Sequence, residues 1–219
     1  MGQYSKKGLY SKYDKNNIER QKEDYYATPI EEVTNIMNTI KLPINKDTII
    51  LEPCCGGGHM VEGILNYSSQ FNNKIIATDI RERNNIFKEK HQLQNVDYHF
   101  ELDYLSDDYP YNSADYIIMN PPFKLIEPFV IRSLEIAEKG ILMFGRLQFL
   151  EGENRYNTIL KDNPPSEVYV YVDRVACYKD GDFSIKPNSV QAYAWFYWDI
   201  GTNKSSTIHF LRRYNKINN

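Results

Sequence analysis

From Pro29 onward the apolar positions fall into two alternating rhythms. Ile30, Val33, Ile36, Met37 and Ile40 recur at helical spacing, with Thr28 placed as N-cap, Pro29 in the first turn and Pro43 as the stop. Thr48 to Glu52 is then a short apolar run of the kind found in a buried parallel strand. Gly56, Gly57 and Gly58 break it, and Met60, Val61, Ile64 and Leu65 restore the helical period. Lys74 to Asp79 reads as the second strand, and residues 82–93 as a helix with Ile86 and Leu93 inward. Val96 to Leu102 reads as the third strand, ending at Asp103. The fourth, Ala114 to Met119, runs into Asn120-Pro121-Pro122-Phe123. A helix carrying Ile126, Phe129, Val130 and Leu134 extends to about Lys139, and Gly140 to Phe144 is the fifth strand. Such alternation predicts an α/β fold, a doubly wound, mostly parallel sheet with helices on both faces.

After residue 150 the rhythm changes. A short helix is predicted over 151–160, then strands at Glu167–Val172 and Ala192–Trp198 with a Gly/Asp/Lys/Pro-rich loop, about 178–190, between them. No helical period separates these strands, so they are expected to form an antiparallel pair closing one edge of the sheet. Tyr193, Trp195 and Tyr197 alternate with Ala194, Phe196 and Trp198, which suits burial on both faces or, on one face, a base-stacking platform.

The chain of 219 residues suits one well-cored domain, expected over 23–200. Residues 1–22 read as a basic arm, with six Lys/Arg against Asp14 and Glu19, and residues 201–219 as a basic tail with Lys204, Arg212, Arg213 and Lys216 and no acid. Either end suits a solvated terminus or a phosphate-contacting arm. A net charge of −3 excludes a uniformly basic nucleic-acid coat. Three cysteines, two of them adjacent, form neither a disulfide framework nor a metal-ligand spacing, and His59, His91, His99 and His209 give no ligand set; no metal is expected. No apolar leader or membrane-length run occurs, so a cytoplasmic location is expected.

In an open parallel sheet, ligands bind beyond the carboxyl ends of the strands. Four of the strands end in Glu52, Asp79, Asp103 and Asn120, which places these residues along one crevice. Glu52-Pro53-Cys54-Cys55-Gly56-Gly57-Gly58 follows a strand and opens a helix; its glycines suit close approach to a ligand or a tight connection. It lacks the Lys-Ser/Thr of a phosphate loop and the third spaced glycine of a dinucleotide fingerprint. Asp79 can accept from a ribose diol or cap the next helix, and Asp103 can accept from an exocyclic amine or close a turn. At Asn120-Pro121-Pro122-Phe123, two prolines remove two N–H groups and most of the backbone freedom. The Asn120 amide and the Pro121 carbonyl can then act as paired acceptors for an NH2 group, with Phe123 as an aromatic face.

These segments resemble the S-adenosylmethionine-dependent N6-adenine DNA methyltransferases, of the small type found in phages and prophages. The resemblance covers roughly residues 24–200 and rests on Asp24-Tyr25-Tyr26-Ala27-Thr28-Pro29, the Glu52–Gly58 segment, Asn120–Phe123, Phe149–Gly152 and Ala192–Phe196. It implies a seven-stranded, Rossmann-like class I methyltransferase sheet with S-adenosyl-L-methionine as cofactor and DNA as partner. It places Tyr26, Thr28 and Pro29 at the methionine end of the cofactor, and Glu52, Pro53, Cys54, Gly56 and Gly58 along its methionine and sugar. Asp79 and Ile80 fall at its ribose and adenine, and Asp103 and Tyr104 at its adenine. It gives Asn120, Pro121, Pro122 and Phe123 the catalytic role on the target amine and base. A separate recognition domain, usual in that branch, is not expected within the roughly 20 residues after Trp198. Other acceptors compatible with the motif are adenine in RNA and a glutamine amide; a non-catalytic cofactor- or DNA-binding accessory protein is the alternative of another class.

Overall fold

The computed structural model describes residues 25–184, 191–202 and 205–213. Strands β1 (Tyr26–Ala27), β2 (Ile49–Glu52), β3 (Lys74–Thr78), β4 (Val96–His99), β5 (Ala114–Met119), β6 (Ala137–Arg146), β7 (Glu167–Tyr171), β8 (Tyr178–Lys179), β9 (Tyr193–Asp199) and β10 (Thr207–Leu211) are joined by helices α1 (Ile30–Ile40), α2 (His59–Ser68), α3 (Lys88–Gln92) and α4 (Ile126–Ile136). A further helical turn covers Glu153–Arg155 and continues as a π-helical turn over Tyr156–Leu160. The main sheet has eight strands in the order β10-β7-β9-β6-β5-β2-β3-β4. All neighbours are parallel except β9, which runs antiparallel to both β6 and β7. The order reverses beside β2, between β3 and β5, so the crevice predicted from the strand ends opens there.

The apolar runs explain the layers. Ile50, Leu51, Ile75, Ile117 and Ile118 are fully buried, as strands covered on both faces require. One core unites α1 and α2 with one sheet face through Val33, Ile36, Met37, Val61 and Ile64; the other unites α4 with the opposite face through Phe129 and Val130. The aromatic strand β9 serves both. Tyr193, Trp195 and Tyr197 enter the first core and Ala194, Phe196 and Trp198 the second, so burial on both faces holds and no stacking platform remains.

Several expectations need correction. The expected antiparallel pair forms as β7 and β9 on this side of the sheet, with one further strand, β10, outside it. The eighth strand, β10, comes from the expected basic tail and pairs with β7 from Thr207 to Leu211. The tail is tied down further. Asn35 Nδ2 donates to the Arg212 carbonyl at 3.1 Å, and Arg213 Nε pairs with the buried Glu32 carboxylate at 3.2 Å. The helix predicted over 82–93 shrinks to α3, and Ile86 and Leu93 are 71% and 89% exposed. The inward residue is His91, which is buried between Glu62 and Tyr98 and hydrogen-bonded to both. The third strand stops at His99, where Glu101 adopts φ +61°. The fifth is longer than predicted, from Ala137 to Arg146. Thr28 does not cap α1, because Pro29 takes the cap position with no side-chain cap. The arm at 1–22 and Lys204 and Lys216 lie outside the described residues, as do 185–190 of the predicted loop. Among the described residues, no helix is long and apolar enough to cross a membrane.

Candidate active site

Glu52, the last residue of β2, is 1% exposed. Its Oε1 accepts from the Cys54 N–H at 3.3 Å and lies 3.4 Å from the Cys54 thiol. Its Oε2 is buried with no hydrogen-bond partner. Burial, reinforced by the neighbouring Asp79 carboxylate, pushes the Glu52 carboxyl well above the usual range. Pro53 is buried behind it and Cys54 is half-buried.

Asp79 follows β3 and is also buried. Its Oδ2 accepts from the Gly56 N–H at 2.8 Å and its Oδ1 from the Arg81 N–H at 3.0 Å. Burial raises its pKa against these two bonds. Asp79 thus clamps the glycine loop and closes an Asx turn, not a helix cap. Ile80, half-buried, continues that turn.

The glycines are explained by packing within the chain. Gly56 has φ +52°, and a Cβ there would lie 2.1 Å from the Tyr25 ring. Gly58 has φ +85°, and a Cβ there would lie 2.6 Å from Asn85 Oδ1. The Tyr25 phenol rests on this loop and meets His59 Nδ1 at 3.0 Å. Of the two adjacent tyrosines, then, Tyr25 covers the glycine loop. Tyr26 faces the other way, its ring 5.3 Å from that of Phe123.

Asn120 follows β5. Its Nδ2 donates to the Tyr26 carbonyl at 2.9 Å and to Thr28 Oγ1 at 3.0 Å. A carbonyl only accepts, so the amide orientation is fixed and Oδ1 points away from this strand. Thr28 and Pro29 are buried; Thr28 acts by orienting Asn120, and Pro29 by starting α1. Pro121 is buried and Pro122 half-buried; the Pro122 carbonyl accepts from the Leu125 N–H at 2.8 Å, turning the chain so that Phe123 flanks Asn120.

The third strand end behaves differently. Asp103 Oδ1 accepts from the Leu105 N–H at 3.0 Å, closing a turn. Tyr104 is 2% exposed, packed on Tyr109 and Phe129, with its hydroxyl on Ser133. Its side chain belongs to the core, not to a ligand-facing wall.

Two residues beside Asn120 escaped the sequence reading. Arg146 ends β6 and stacks its guanidinium 3.9 Å above the Phe123 ring. Buried Cys177 lies beside the side chains of Asn120 and Tyr193; burial pushes its thiol up to about 12. The signal for Arg146 existed, since a polar residue closing a buried strand was the criterion that found Glu52, Asp79 and Asn120. Cys177 offered only a lone cysteine.

No protein-family model matches the chain, and no curated protein sequence matches it. Solved structures share its fold. The 23S rRNA methyltransferase ErmE aligns over 84% of this chain and 73% of its own, at 15% identity and a TM-score of 0.56. A Lactococcus lactis protein named as a hemolysin aligns over 83% and 92%, at 12% and 0.55. A Thermotoga maritima SAM-dependent O-methyltransferase aligns over 86% and 72%, at 11% and 0.52. The architecture is that of class I methyltransferases, with one strand more than the expected seven. The variety of names on one fold means that the site, not the architecture, carries the functional argument.

Proposed function

We propose that this chain is an S-adenosyl-L-methionine-dependent methyltransferase whose acceptor is the exocyclic N6 amine of adenine in DNA. The observation that carries the reading is the fixed Asn120 carboxamide beside Pro121 and Phe123, at the carboxyl end of β5 and next to the crevice of β2 and β3. The cofactor fits the other half of the crevice. Glu52 Oε2 is a buried acceptor without a donor, and Glu52 with Asp79 forms a carboxyl pair suited to a ligand bearing positive charge. Glu52, Asp79 and the Cys54–Gly58 loop would hold it, with Tyr25 covering the loop. When bound, it supplies an electrophilic methyl group on a sulfonium.

An aromatic NH2 is a poor nucleophile because its lone pair is delocalised into the ring. Asn120 Oδ1 and the Pro121 carbonyl, as two fixed acceptors, draw the two N–H bonds out of the ring plane and localise the lone pair. Phe123 holds the flat face. The catalysis is positioning and electrostatics; the methylated nitrogen is strongly acidic and gives its surplus proton to water, so no strong general base is required. A duplex adenine must first be flipped out of the stack, at a cost of a few kcal/mol.

The test is incubation of the protein with methyl-labelled cofactor and, separately, DNA, RNA and protein acceptors, followed by digestion of the labelled product. The reading expects N6-methyladenine from DNA. Label in RNA alone or in a glutamine amide alone overturns the acceptor; no label in any arm overturns the enzyme.

A further inference from the structure

The acceptor side of the site holds one cation that the mechanism above does not use. Arg146 stands at the carboxyl end of β6, the strand beside β5, in the register that pairs Met119 with Met143. It is half-buried, its guanidinium lies 3.9 Å above Phe123, and its Nε–H is buried without a hydrogen-bond partner. Among the described residues no carboxylate pairs with it. Its polar neighbours, the Tyr193 phenol and the Cys177 thiol, are neutral groups. Lys124, one residue beyond Phe123, is exposed on the same turn. The carboxyl pair Glu52 and Asp79 has Arg83 close by, whereas the guanidinium of Arg146, on the acceptor side, has no carboxylate paired with it among the described residues.

A half-buried cation without a counter-ion recovers only part of its lost hydration from the Phe123 ring and the Tyr193 phenol. An anionic ligand restores the balance, and a guanidinium whose carbon sits 3.9 Å from a ring centroid keeps N–H groups at its rim for phosphate oxygens. We propose that Arg146 is a substrate-binding residue that contacts a phosphate flanking the target adenine, while its flat face, stacked on Phe123, forms part of the wall against which the base lies. The proposal rests on the nucleic-acid reading above and sharpens it: the acceptor is recognised as a phosphodiester-linked nucleotide, not as a free base, a nucleoside or a peptide amide.

The test measures binding of a fluorescent single-stranded oligonucleotide with one adenine over a salt series, for the wild type, Arg146→Gln and Arg146→Lys. One phosphate contact contributes roughly 0.7 to the log–log salt slope on single strands. The slope should fall by about that amount in Arg146→Gln and be kept in Arg146→Lys. Oligonucleotides with a neutral methylphosphonate on either side of the adenine should reproduce the fall with the wild type, and one of them should cause no further fall with Arg146→Gln. This arm needs no variant to fold.

A slope unaffected by Arg146→Gln, or by both methylphosphonates on the wild type, overturns the phosphate contact and leaves Arg146 as packing on Phe123. So does equal turnover on free deoxyadenosine and on the oligonucleotide. Labelled cofactor in the same tubes separates the two claims. Arg146-dependent binding without methyl transfer sinks the proposed function and spares the contact; methyl transfer with an Arg146-independent slope does the reverse.

Discussion

The two ends of the Asn120 carboxamide differ chemically, and the chain uses the difference. Its donor end is held by Tyr26 and Thr28, so its acceptor end is available in a fixed direction before any substrate arrives. Asn120→Ala should leave cofactor affinity within about twofold, because Glu52 and the glycine loop are untouched. It should lower turnover by roughly 3–4 kcal/mol of barrier, the size of losing one preorganised polar contact. Calorimetry with the cofactor and single-turnover rates test both halves, and undiminished transfer removes Asn120 from the chemistry. Glu52 makes a different prediction. Its folded-state pKa lies well above the ordinary carboxylate range, so the folded protein holds a proton that the unfolded chain releases. Its contribution to stability is full below the ordinary carboxylate pKa and is lost as pH rises toward the raised value. Glu52→Gln should therefore raise the melting temperature of the cofactor-free protein more at pH 7 than at pH 4. A gain of about 1 kcal/mol reads as roughly 2–4 °C. The variant should also flatten the rise of cofactor affinity with pH. A melting temperature that falls equally at both pH values contradicts the burial argument. Glu52, Asp79 and Asn120 were legible because each closes an apolar strand. Tyr25 was not, because it lies just ahead of β1 and only the antiparallel pairing of β1 with β8 decides that its ring turns onto the glycine loop.

At the scale of elements, the segment after β3 shows where periodicity misleads. Ile86 and Leu93 are seven apart, a helical interval, yet they point to solvent. The segment is held instead by polar and aromatic side chains. His91 joins Glu62 on α2 to Tyr98 on β4, and the rings of Phe87, His91, Tyr98 and Phe100 stack in sequence. Burial lowers the His91 pKa, so the imidazole bridges as a neutral group. A buried histidine satisfied on both nitrogens has no signature in hydropathy, and this is why α3 was overestimated and its inward residue missed. His91→Leu should remove the ring's bonds to the Tyr98 hydroxyl and to one Glu62 oxygen and cost about 1–3 kcal/mol in urea unfolding. Leu93→Ser should stay within about 0.5 kcal/mol of the wild type. The opposite ranking would restore Leu93 to the core. The parallel strands were easier. Ile50, Ile75 and Ile117 sit in short uninterrupted apolar runs, and burial on both faces leaves such runs no other arrangement.

For the molecule as a whole, the two basic ends of the sequence separate into different roles. Residues 1–22 carry +4 against a total of −3, so the rest of the chain is acidic at −7. The opposite end also looks basic, but Arg213 is committed to buried Glu32, and β10 is part of the sheet. Its first duty is structural, and under the proposed function the salt-dependent grip on nucleic acid is expected from the N-terminal residues and the acceptor mouth. Arg213→Ala should remove one cation from the buried Glu32 carboxylate and destabilise the fold by roughly 3 kcal/mol, read as a lower urea midpoint with an unchanged slope. Removing residues 1–22 should leave the urea midpoint in place and act on substrate instead. The Michaelis constant for DNA should rise, and the log–log salt slope of duplex binding should become shallower by about 0.9 for each phosphate no longer neutralised. Steering by the net field predicts the same sign, because the remaining acidic body repels the duplex once its basic segment is gone. The two variants therefore change different observables. If removal of 1–22 leaves the salt slope intact, the grip on phosphates belongs to the acceptor mouth, with Lys124 and Arg146 the first residues to substitute. If Arg213→Ala flattens the slope without moving the urea midpoint, the ion pair with Glu32 does not hold in solution, and the C-terminal residues regain the phosphate-binding role their sequence suggests.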